Sequence, residues 1–149
     1  MANTKDRITQ DLKTAMLAGD KPLVSILRGL KSAILYEEVS GGSRDAGLSE
    51  DKVLQVLTKE AKKRQDSAEL FLQGGDKERA AQELSEKAVI DAYLPEKISE
   101  EKLVAIVQKH VAEAEDKNMG KIISGVKSEV GLAAEGALIA RLVKEQLQA

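Results

Sequence analysis

Apolar residues recur along this chain at intervals of three and four, the spacing that lines one face of an α-helix, and the breaks between the runs carry helix-capping residues. Asn3 or Thr4 opens a first helix with Ile8, Leu12, Ala15 and Met16 on its apolar side, closed near Gly19. Asp20 caps a second, with Pro22 in its first turn and a stripe of Leu23, Ile26, Leu27, Leu30, Ala33 and Ile34. Residues 40–48 contain three glycines and no periodicity, so they read as a mobile loop. Ser49 caps a third, longer helix reaching about Gln73. Gly74-Gly75-Asp76 stops it, and Asp76 caps a fourth helix whose Ala80, Ala81, Ala88 and Ala92, beside Leu84, predict close packing. Tyr93-Leu94-Pro95 ends that helix, because the residue before a proline avoids the α region.

The segment 95–98 is the expected domain boundary. Ser99 then caps a fifth helix with Leu103, Ile106, Val107, His110 and Val111 on its apolar face, which makes His110 an expected core residue. A sixth helix starts around residues 116–118 and carries Met119, Ile122, Ile123, Val126 and Val130 up to Gly131. The seventh runs from about Glu135 with Leu138, Ile139, Leu142, Val143 and Leu147. The expected fold is all-α, with an N-terminal four-helix domain over residues 1–95 and a C-terminal three-helix domain over residues 96–149.

Composition agrees and adds exclusions. The 149 residues include nineteen Ala and eighteen Leu but only three aromatic rings, Tyr36, Phe71 and Tyr93, so the core must be aliphatic and an all-β fold is nearly excluded. Three rings also cannot build the multi-ring platforms on which single-stranded bases stack. The absence of cysteine removes disulfides, thiolate catalysis and cysteine-ligated metals, and one histidine, His110, is too few for a His-pair metal motif. No metal or cofactor is expected. No signal-peptide core and no run of 18 apolar residues is present, so the protein is expected in the cytoplasm and off the membrane. Net charge is −2 and divides evenly about Pro95, so neither half is a basic nucleic-acid domain by bulk charge.

Three groups of residues could carry more than surface solvation. Arg64 and Glu60 fall on the apolar arc of the third helix, and Glu37 continues the stripe of the second, which predicts a structural ion cluster of Glu37, Glu60 and Arg64. Lys59, Lys62 and Lys63, with Arg44 from the loop, form a secondary basic face. The sixth and seventh helices combine small and basic residues: Gly120, Lys121, Gly125 and Lys127, then Gly131, Gly136, Arg141 and Lys144. The small residues admit a partner's backbone, and the free N–H groups opening the seventh helix suit a phosphate. No strand precedes these glycines, so a nucleotide-binding glycine loop is not an alternative.

The segments 59–71, 74–76, 83–88 and 93–95, Met119-Gly120 and Gly131 with residues 134–136 resemble the YqeY family over essentially the whole chain. The second half also resembles the C-terminal tail of the GatB subunit of the tRNA-dependent amidotransferase. The resemblance implies an all-helical protein whose tail grips tRNA, with the amidotransferase's catalytic parts absent. Ala134-Glu135-Gly136 stands where the family pattern leads one to expect aspartate in the middle. The leading expectation is therefore a monomeric, non-catalytic tRNA-binding accessory module assisting aminoacylation or tRNA-dependent amidation in trans. One rival is a helical adaptor for an aminoacyl-tRNA synthetase or amidotransferase subunit. Another is an amidotransferase-like carbon–nitrogen ligase, for which the residues supply no nucleophile with a base.

Overall fold

A computed structural model describes residues 3–42 and 45–149. Among the described residues there are seven α-helices and no strand, in the order α1 Thr4–Ala18, α2 Lys21–Ser40, α3 Glu50–Gln73, α4 Lys77–Asp91, α5 Glu100–Glu113, α6 Met119–Val130 and α7 Gly136–Gln148, with a 3₁₀ turn at Gly131–Ala133. The starts are set by local chemistry. Asn3, Asp20, Ser49, Asp76, Ser99 and Asn118 each accept a hydrogen bond from the backbone N–H three residues on, satisfying a donor the helix cannot. Gly19 closes α1 in the left-handed region at φ 71°, where a side chain would be strained. No helix is long and apolar enough to cross a membrane.

The chain divides into two compact units, one ending at Leu94 and the other beginning at Pro95. In the first, Ile8, Leu27, Leu30, Ile34, Leu57 and Ile90 bring α1, α2, α3 and α4 onto one aliphatic core. Polar ties cross that core's margins. Thr4 donates through its backbone N–H and its hydroxyl to Glu50, joining the starts of α1 and α3. Tyr93 is buried just beyond α4 and donates its hydroxyl to Asp11 on α1 at 2.5 Å, with the Arg7 guanidinium 5.2 Å from its ring centre. Burial, and next the Asp11 carboxylate, push the Tyr93 hydroxyl well above its ordinary range.

The second unit packs Leu103 and Val107 of α5, Ile122 and Val126 of α6, and Ile139 and Val143 of α7 around a separate core. The segment leading into α5 is held by Ile98, whose N–H donates to the Ala133 carbonyl at 2.9 Å, and by Lys97, which donates to the Leu132 carbonyl at 3.1 Å.

Several expectations need correction. Glu37 is exposed, and it is Glu38 that is buried and takes both contacts from the Lys5 amine, at 2.9 and 3.0 Å. On a helical wheel the two glutamates flank the Leu27, Leu30 and Ile34 stripe about equally, on opposite sides. Packing against α1 decides which goes inward. Glu38 also accepts from the Leu48 N–H at 3.0 Å, anchoring the far end of the loop. The hydrogen bond from Lys5 holds its carboxyl below the ordinary value, outweighing the opposite effect of burial. On α4 only Ala80 of the alanine group is buried, Leu84 is 41% exposed, and Ile90 supplies the main anchor. Met16, at 52% exposed, also leaves the core, because α1 turns only one narrow face to α2 and α3.

Candidate nucleic-acid interface

The small and basic residues of α6 and α7 do not form one open surface. Gly131 occupies φ 56°, ψ −132°, a conformation only glycine holds without strain, so it serves the turn between α6 and α7. Gly125 faces the His110 ring: a methyl group there would lie 3.0 Å from Nδ1. Gly125 thus makes room for α5 and not for a partner's backbone. His110 itself is half-buried and outside the core, with Nε2 3.0 Å from a Glu129 carboxylate oxygen. The polar pairing available at the α5–α6 margin draws it off the apolar seam, which corrects its expected place among core residues. Gly120 is exposed beside the Asn118 cap.

The cations differ in how far they are already neutralised. Arg141 donates to Glu100 and to Glu145, each at 3.0 Å, and these two hydrogen bonds, Glu100 first, bind its proton still more firmly. Lys121 lies 3.4 Å from Asp116, on the rim of a 370 Å³ surface pocket that also carries Glu113 and Glu115, an unfavourable field for a phosphate. Lys127 and Lys144 are exposed and have no carboxylate partner among the described residues. The Lys127 amine passes 3.3 Å from the place a Gly136 side chain would fill, at the start of α7, where Glu135 gives no side-chain cap. The structure therefore brings Lys127 and Gly136 together.

In the first unit, Arg64 meets Glu60 at 2.6 Å, as i, i+4 spacing predicts. The third member of the cluster is Glu86 of α4, 3.6 Å away, where Glu37 was expected. α4 lies alongside α3, whereas Glu37 is exposed and makes no ion pair with Arg64, although it lines a surface pocket together with Glu60. Burial works against the charge of Glu60, but hydrogen bonds from Lys63 and Arg64 outweigh it and hold its carboxyl below the ordinary value. Of the secondary basic face, Lys62 is 3.7 Å from Asp66, Lys63 shares Glu60, and Lys59 has no carboxylate partner among the described residues. Arg44 lies outside the described residues. Sequence patterning overlooks two neighbours of this face, Lys52 and Tyr36. The position of Tyr36 away from the apolar stripe of α2 is the signal that marks it as exposed.

Among the described residues no three His, Cys, Asp or Glu side chains gather to hold a metal ion. The family described as Yqey-like protein has a model that matches residues 5–147. No curated protein matches the chain.

Proposed function

The chain belongs to the Yqey-like protein family, and from that premise we propose that it is a non-catalytic tRNA-binding accessory module that assists aminoacylation or tRNA-dependent amidation in trans. The carrying observation is that Lys127 on α6 and Lys144 on α7 have no carboxylate partner among the described residues, while Arg141 and Lys121 are engaged by carboxylates. Two lysines neutralise few phosphates, so binding is modest and falls steeply with salt, about 0.7–0.9 logarithmic units per contact. Cysteine is absent, and the one imidazole, that of His110, faces Glu129.

Binding of unfractionated tRNA at low and moderate salt tests the reading. The expected result is an affinity that the double variant K127E/K144E lowers by at least tenfold and whose salt slope it flattens by about 1.5. No binding at low salt, or no loss in the double variant, overturns it.

Exposed apolar side chains, Leu70 and Leu72 in the last turn of α3 and Leu84 midway along α4, favour a second reading as an adaptor for a synthetase or amidotransferase subunit. Association with such a purified subunit that survives nuclease supports the adaptor, and association abolished by nuclease returns the weight to RNA.

A further inference from the structure

The reading above leaves unused a furrow between α2 and α3, in the first unit. Two adjoining pockets of about 230 Å³ each share Glu37, Val56 and Lys59. One extends toward Lys52 and the other toward Tyr36 and Lys63. Val56, 9% exposed, lies at their junction. Lys52, Lys59 and Lys63 follow one another along one face of α3, about 16 Å from first to last at 1.5 Å per residue. Lys52 and Lys59 have no carboxylate partner among the described residues, and Lys63 is shared with Glu60.

Exposed lysines alone are ordinary surface. What distinguishes this row is Tyr36, one of three aromatic rings in the chain, which stands across the furrow 70% exposed. A cationic row facing an open ring suits a single nucleic-acid strand, whose backbone follows the charge while an unstacked base covers the ring. Glu37 sits where the two pockets meet, exposed, its carboxylate without a partner among the described residues. Its carboxylate opposes the dense phosphates of a duplex but accepts from the amino group on the edge of an unpaired base, as acidic side chains do from cytosine N4.

We propose that the α2–α3 furrow holds a short single-stranded RNA segment, with phosphates on Lys52, Lys59 and Lys63, one base on Tyr36, and Glu37 selecting a base that carries an exocyclic amine. One ring stacks one base, so the interaction is weak and serves to hold an unpaired end or loop. The site is separate from Lys127 and Lys144 and does not depend on the ligand being tRNA.

Fluorescence polarisation of labelled hexacytidylate and hexauridylate, with the full chain at low salt, tests this. Hexacytidylate is expected to bind more tightly than hexauridylate, and Tyr36→Ala to weaken hexacytidylate roughly tenfold while Tyr36→Phe retains it. Glu37→Gln is expected to erase the preference for cytosine, since an amide offers both a donor and an acceptor. K52E/K59E is expected to abolish binding, whereas K127E/K144E leaves it unchanged. All these positions are solvent-exposed, and unchanged thermal melts establish that the variants fold. The proposal is overturned if neither oligomer binds, if Tyr36→Ala binds like the native chain, or if binding is lost with K127E/K144E and kept with K52E/K59E. Loss of tRNA binding in K127E/K144E with hexamer binding intact supports both sites, so the two readings stand or fall separately.

Discussion

In the first unit, side chains far apart in sequence are tied by polar contacts at or near the core: Lys5 to Glu38, Thr4 to Glu50, Asp11 to Tyr93, and Arg64 to Glu86. In the second, the hydrogen-bonded pair His110 with Glu129 and the ion pairs Lys121 with Asp116 and Arg141 with Glu100 lie toward the surface, and the buried side chains are Leu, Ile and Val alone. The contrast teaches how each unit is specified. A buried carboxylate with fixed partners sets register but is sensitive to its own ionisation, whereas exposed pairs contribute about 0–1 kcal/mol and leave stability to apolar burial.

The sharpest way to break this comparison is inside the second core. Leu103 is fully buried, and Leu103→Ala is expected to lower the stability of the second unit by about 3 kcal/mol, through lost apolar contact and a cavity. Denaturant unfolding followed by segment-resolved hydrogen exchange measures it. A loss below about 1 kcal/mol would show that the apolar seam is not what holds the unit.

Next in size is Glu38→Ala, expected to cost the first unit about 2 kcal/mol near neutral pH by leaving Lys5 and the Leu48 N–H without their acceptor. The sign of the pH dependence follows from the depressed folded value. The contribution of Glu38 is fully present above its ordinary pKa of 4.5 and is lost as pH falls through the lower folded value. The stability curves of native and variant chains should therefore converge in acid. A gap that persists unchanged well below that pH would contradict the assignment.

The smallest effect is expected at Arg141, despite its two carboxylate partners. Arg141→Ala should leave the thermal unfolding midpoint essentially unchanged, because both pairs are solvent-exposed. A clear drop in that midpoint would place a structural load on the second unit's surface charges and weaken the contrast.

Much of the architecture was legible residue by residue. Asp20, Ser49, Asp76 and Ser99 cap the helices their positions predict, because a cap is a contact between residues three apart, and the sixth helix begins within the expected stretch 116–118, on Asn118. Arg64 with Glu60 was legible for the same reason. Its partner Glu86 was not, since it comes from another helix, and neither was the choice between Glu37 and Glu38. The candidate surface divides likewise. The cations could be named from the sequence, but their engagement could not: Arg141 meets Glu100, 41 positions away, and Gly125 proves to be the seat of His110.

By itself the sequence determined seven helices, their caps, an aliphatic interior and the absence of cysteine chemistry, because these depend on composition and on contacts within one or two helical turns. Only the tertiary structure decided which glutamate is buried, which lysines have no carboxylate partner among the described residues, and that Tyr36 shares a furrow with Lys59 and Lys63. Those outcomes depend on which helix faces are brought together, and one turn of a helix carries no record of its neighbour across the core.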